Sequence, residues 1–123
     1  MKYFTHRDKK ELKDYLYYGH SHDSAIEKIE YIFKDEYAKD RLNVFTVNNY
    51  DKVREKYVIS GLEKIYTVND HISEKDDVVL DIYVEDEASG LNIDEYLYLI
   101  IQMKSFEEIH IICKEIYITE ESI

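Results

Sequence analysis

The sequence has no proline, one cysteine and three glycines in 123 residues. Without proline no rigid turn or edge marker punctuates the chain, so boundaries rest on glycine, capping residues and hydrophobic period. The single cysteine, Cys113, excludes an internal disulfide and fits a reducing cytoplasm, as in a bacterial host cell. No apolar run reaches the ~18 residues of a membrane span, and the N-terminus carries no signal-peptide pattern. Phosphate-loop, GxGxxG and GxSxG motifs and the DxDxDG calcium loop are all missing. These absences predict a protein that is not an enzyme and holds no cofactor and no metal. Alanine, glycine, proline and arginine, whose codons are GC-rich, together number nine. That scarcity fits an AT-rich genome, such as a low-GC bacterium, its phage or its plasmid.

Carboxylates are abundant instead. The formal net charge is −11, and it is unevenly placed. Residues 1–64 hold 13 basic and 12 acidic side chains, whereas residues 65–123 hold 3 and 15. Concentrated negative charge repels nucleic acid and steers basic partners inward, so direct nucleic-acid binding is not expected. The imbalance centres on residues 70–95, DHISEKDDVVLDIYVEDEASGLNIDE, where ten carboxylates face one lysine. In the middle lies VVLDIYV, a run of β-formers with alternating polarity.

The length fits one domain spanning 1–123, able to bury a real core. Thr5 with Asp8 reads as the capping box of a first helix over 5–18, with Leu12, Tyr15 and Leu16 inward and Gly19 as a left-handed cap. Ser24 with Glu27 reads the same way for a second helix over 24–39, with Ile26, Ile29, Phe33 and Tyr37 at helical spacing. Strands are predicted over 42–47, 64–69 and 78–85. In the last of these, Val78, Leu80, Ile82 and Val84 share one face and Val79, Asp81, Tyr83 and Glu85 the other. Asn48-Asn49 is a turn, 50–57 a third helix, and Gly61 a break. Segments 95–104 and 109–119 fit helix or strand, and strands are favoured; 120–123 is a frayed tail. The fold class that follows is α+β, with N-terminal helices packed on one face of a mainly antiparallel sheet formed largely by the C-terminal half.

Three constellations carry candidate chemistry. His20-Ser21-His22-Asp23 resembles a fragment of the HxHxDH metal motif of metallo-β-lactamase-fold hydrolases, but Asp23 comes one place early and no second histidine follows. A polar loop that caps and hydrogen-bonds is the simpler reading; a small metal-dependent enzyme using His20 and His22 is the sharper alternative. His110 and Cys113 suggest a thiol with a base; three apart, they face opposite sides on a strand and share a face on a helix, and with no oxyanion-like turn nearby a buried structural cysteine is the simpler reading. Thirteen tyrosines, beyond their use in cores and strands, supply interface residues with an apolar ring and a polar tip.

The partner-binding surface predicted from these features comprises Asp70, Glu74, Asp76, Asp77, Asp81, Tyr83, Glu85, Asp86, Glu87, Asp94, Glu95, Tyr96 and Tyr98. Its expected partner is a basic protein, a nucleic-acid-binding nuclease whose Lys/Arg groove would accept carboxylates in place of phosphates. In small size, acidity and lack of a catalytic motif the chain is similar to phage-encoded anti-CRISPR and anti-restriction proteins. That likeness implies a non-catalytic inhibitor, a DNA mimic that blocks a defence nuclease. An immunity protein or antitoxin neutralising a basic toxin has the same physics. Monomer and homodimer are both open.

Overall fold

A computed structural model describes residues 1–33, 40–68, 78–86, 95–105 and 107–123, with Leu80 described by its backbone alone. Strand β1 (Lys2–Thr5) leads through a 3-10 turn (His6–Asp8) into α1 (Lys9–Tyr18). Eight strands follow: β2 (Ala25–Ile32), β3 (Arg41–Asn48), β4 (Val53–Ser60), β5 (Lys64–Val68), β6 (Val79–Glu85), β7 (Leu97–Met103), β8 (Glu108–Cys113) and β9 (Glu115–Ser122). They form two antiparallel sheets, of order β1-β9-β4-β3-β2 and β5-β8-β7-β6.

This overturns the α+β expectation. Of the described residues 62% are in strands, and the one helical stretch is short and N-terminal. Nor is the sheet chiefly a product of the second half, because β1 to β4 build most of the larger sheet. Residues Ala25–Ile32 of the predicted second helix are β2, and its residues 34–39, with Tyr37, lie outside the described residues. Its apolar spacing has a specific cause: the β2–β3 register slips between Ile26 and Lys28, so Glu27 is an extra residue. A bulge of that kind puts positions three apart on one face and imitates a helical period. Ser24 does not cap; its hydroxyl donates to the Ser21 carbonyl at 2.6 Å. The predicted third helix is the turn after β3 plus β4. Val53 and Tyr57 are four apart, a spacing that suits strand and helix alike. Residues 120–122 are not frayed, since Glu120 pairs with Glu55 and Glu121 with Arg54.

The first helix and four strands sit where expected. The Thr5/Asp8 capping box is present: the Asp8 carboxylate accepts from the Thr5 N–H at 2.9 Å. Gly19, however, has φ −85°, so it is no left-handed cap; a Cβ there would meet the Tyr15 carbonyl oxygen at 2.6 Å. In β6 a second bulge, between Val79 and Asp81, places Val79 in the core and leaves Val78 half-buried, against the predicted alternation.

Both sheets and α1 share one apolar core. The larger sheet contributes Phe4, Val44, Tyr57, Ile59, Ile116 and Ile118. The smaller contributes Val79, Ile82, Val84, Leu97, Leu99, Ile101, Ile111 and Cys113, and α1 adds Leu12 and Leu16. At one corner the β4–β9 pair runs directly into the β5–β8 pair, as in sandwiches whose strands switch sheets at a bend. Ser60 pairs with Glu115 and Lys64 with Ile112, so three residues on one side oppose two on the other. Gly61, at φ +67°, takes up the mismatch. The Lys114 N–H donates to the Ser60 carbonyl at 3.2 Å and the Glu63 N–H to the Ile112 carbonyl at 2.8 Å, which carries the ladder around the bend.

Among the described residues one carboxyl is buried in this frame. Glu55, 3% exposed, projects inward from β4. Tyr57 donates to its Oε1 at 2.8 Å and Tyr15 to its Oε2 at 3.2 Å, while the Tyr15 hydroxyl also lies against Glu120. Burial raises the Glu55 pKa, with the two tyrosine bonds opposing it. The folded protein therefore holds this proton more tightly than the unfolded chain. Stability from the neutral form is complete below the ordinary glutamate range and is lost as pH rises through the raised value. Glu55→Gln should be more stable than the parent at pH 7, with the gap closing toward pH ~4. Melting temperatures of both proteins across that range test this, and a gap that stays constant with pH counts against it.

Candidate protein-binding site

Strand alternation sends half the side chains of the smaller sheet away from the core. The register lines them up in rows across four strands. Tyr66, His110, Ile100 and Tyr83 form one row; Lys64, Ile112, Tyr98 and Glu85 form the next; Val68, Glu108, Gln102 and Asp81 form a third. Tyr98, Ile100 and Ile112 are buried in a small second cluster, with Tyr83 and Tyr96 packed against it. Lys64 sits 5.0 Å over the Tyr66 ring and Lys114 5.0 Å over the Tyr96 ring. The face thus runs from lysine at its β5 side, through tyrosines, to carboxylates at β6.

A hydrogen-bond chain crosses it. Tyr66 and Tyr98 hydroxyls lie 2.8 Å apart, Tyr98 Oη lies 2.6 Å from His110 Nδ1, and His110 Nε2 lies 3.0 Å from Glu108 Oε1. Gln102 donates to Glu108 Oε2 at 3.4 Å. A carboxylate only accepts, so Nε2 carries the proton that points at Glu108. With a neutral imidazole, Nδ1 then accepts from Tyr98, and Tyr98 accepts from Tyr66. Tyr66 also stacks on the His110 ring at 4.7 Å. Burial, then the Tyr66 bond, push the Tyr98 phenol far above its ordinary range. A phenol held protonated in this way is neither base nor nucleophile at neutral pH. The chain fixes aromatic side chains in place, which lowers the ordering cost of binding through them.

No family model, curated protein or solved structure matches this chain.

Of the predicted surface, Asp81, Tyr83, Glu85, Tyr96 and Tyr98 do fall together on this face and its β6 border. Tyr98 is a buried member of the network, so a partner would meet Tyr66, Tyr83 and Tyr96 first. Asp86 directly follows β6 and is held by Lys13 of α1 at 2.6 Å. Glu95 is exposed just before β7. Among the described residues no ion pair engages Asp81 or Glu85. Asp70, Glu74, Asp76, Asp77, Glu87 and Asp94 lie outside the described residues. Sequence reasoning missed Tyr66, Glu108 and His110. Each sits in a short alternating strand, but only the β5–β8–β7 register brings them to Tyr98.

The histidine loop has a different geometry. His20 Nδ1 meets Asp51 at 2.9 Å, and that bond raises the His20 pKa. His22 Nε2 meets Asp23 at 3.4 Å, and Asp23 Oδ1 is also held by Lys104 at 2.7 Å. Asn48 Nδ2 donates to the carbonyls of His20 and His22, at 3.0 and 3.2 Å, while its Oδ1 accepts from the Tyr50 and Asp51 N–H groups. The two imidazoles are thus engaged by separate carboxylates. Among the described residues no group of three His, Cys, Asp or Glu is placed to hold a metal ion. A cleft of about 560 Å³ opens here, bordered by Tyr17, Tyr50, Asp51 and Asp81. Cys113 is buried with its thiol pushed up to about 12 by desolvation, and it points into the core, away from His110. Among the described residues no helix is long and apolar enough to cross a membrane.

Proposed function

We propose that this protein is a non-catalytic binding protein that presents the tyrosine face of its smaller sheet, with the carboxylate border at β6, to a basic protein surface. The observation that carries the reading is the alternation Asp81–Tyr83–Glu85 on an edge strand, beside tyrosines fixed by the Tyr66–Tyr98–His110–Glu108 chain. Asp81 and Glu85 are four residues apart on the strand, about 13 Å, roughly twice the phosphate spacing of an extended single nucleic-acid strand, with the Tyr83 ring between them. Rings beside such carboxylates add apolar area that phosphates lack. The partner chemistry that fits is a Lys/Arg-lined groove that otherwise holds nucleic acid. We extend the proposal to a nuclease of bacterial defence, a CRISPR effector or restriction enzyme, with the protein acting as its inhibitor.

The test is binding kinetics against a panel of such nucleases. Asp81→Lys combined with Glu85→Lys should slow association with the bound partner at least about tenfold at low salt, because charge acts chiefly on encounter rate. Added duplex DNA should compete with the parent protein. An on-rate indifferent to both salt and the double substitution would refute the reading.

A further inference from the structure

The four sheet edges are treated differently. Strand β1 has four residues and β5 five, each beginning with a lysine, and β6 carries Asp81 and Glu85. Short strands, and charges of one sign that would face each other across a pair, blunt an edge against pairing. Strand β2 has eight residues, AIEKIEYI, and ends the larger sheet. Among the described residues its outward side has one partner, the bridge from Ala25 to Val78. Its core-side residues overhang the shared core: Ile29 is 44% exposed, Tyr31 40% and Phe33, just past the strand, 78%. Tyr31 and Phe33 contact each other edge-on, at 4.9 Å, yet the stripe stays open. Among the described residues β2 is thus a long edge, unpaired beyond Ala25 and with an open apolar stripe on its core side, and a second strand adds to such an edge.

The sequence of β2 specifies which strand fits. Pairing it antiparallel with a second copy of itself about Ile29 sets Ile29 opposite Ile29 and Lys28 opposite Glu30, twice by symmetry. Opposite charges directly across a pair attract, and like charges repel. These three central pairs lie clear of the bulge at Glu27. A two-fold axis normal to the sheet keeps faces together, so the two Ile29 side chains meet on the core side. The Lys28–Glu30 contacts form on the outer side, where these residues already pair within one chain at 3.1 Å. We propose that β2 is the seam of a homodimer in which two five-stranded sheets join edge to edge into one continuous sheet. The seam is remote in sequence from the tyrosine face and does not depend on the reading of that face.

The charge pattern supplies a test that misfolding cannot imitate. Lys28→Glu leaves two glutamates on each copy and Glu30→Lys two lysines, so each variant alone opposes like charges across the seam. Sedimentation should show the parent as a dimer at tens of micromolar, and each variant should dissociate about tenfold more readily. An equimolar mixture of the two variants should regain the parent's dimer as a heterodimer, since glutamate then faces lysine at both contacts. The internal Lys28–Glu30 pair stays broken in that mixture, so recovery reports the interchain contact alone. A parent that stays monomeric, variants that dimerise like the parent, or a mixture no tighter than its components would each overturn the seam.

Discussion

Gly61→Ala should lose about 2–4 kcal/mol of stability, a large share of what holds a domain of this size together. Two effects coincide. At φ +67° any L side chain is strained, by roughly 1–2 kcal/mol. The added methyl would also lie 2.7 Å from Lys114 Cβ and 2.9 Å from its Cγ. Cβ cannot swing away as a side-chain tip can, because Lys114 sits between β8 and β9, where its N–H holds the corner to Ser60. Denaturant unfolding separates the two effects. Gly61→Asn keeps the clash but tolerates the left-handed backbone better, and Lys114→Gly in the Gly61→Ala background removes the clash but not the strain. If Lys114→Gly rescues nothing, the corner is looser than the distances state. The same bend delivers β5 and β8 to the smaller sheet, so binding through Tyr66 and His110 should fail together with the fold.

The sequence made some of this legible and hid the rest for identifiable reasons. Strands β3 and β7 follow their alternating residues closely, β6 does so beyond its bulge, and Leu97, Leu99, Ile101 and Met103 face the core as that pattern requires. The helix reading of β2 failed because one bulged residue, Glu27, turned a two-residue period into a three-residue one. The helix reading of β4 failed because an inward charge, Glu55, interrupts the apolar face with a carboxylate that only tertiary partners, Tyr15 and Tyr57, make acceptable. The pairing of β1 with β9 joins opposite ends of the chain, and nothing local signals it.

The candidate site divides along the same line. That Asp81, Tyr83 and Glu85 share a face is a property of one strand and could be read directly. That Tyr66 and His110 lie beside Tyr98 depends on register between strands far apart in sequence, which no single-strand pattern encodes. The structure also changes the character of the surface. Lys64 and Lys114 stand over tyrosines at one side and Lys13 occupies Asp86, so the described face is graded in charge rather than uniformly acidic. A graded face favours one orientation of a partner over its reverse, which a uniform field cannot do.

Leu12→Ala should cost about 2–5 kcal/mol and lower the melting temperature by at least roughly 6 °C. The α+β expectation packs the N-terminal helices on one face of a single sheet. In the structure Leu12 is 0% exposed and belongs to the cluster that holds Phe4 of the larger sheet and Ile82 and Val84 of β6. Removing its side-chain carbons therefore opens a cavity where helix and both sheets meet, and three elements held by their own ladders cannot all close on it. Tyr18→Ala, on the same helix but 80% exposed, is the matched control and should change stability by less than about 0.5 kcal/mol. Equal losses from the two substitutions would mean that helix propensity, not packing, dominates. The Leu12 loss should also reach the carboxylate border, because α1 positions Lys13 against Asp86 and Tyr15 against Glu55. A partner that binds through β6 should thus lose affinity in Leu12→Ala at temperatures where the protein is still folded, and should keep it in Tyr18→Ala.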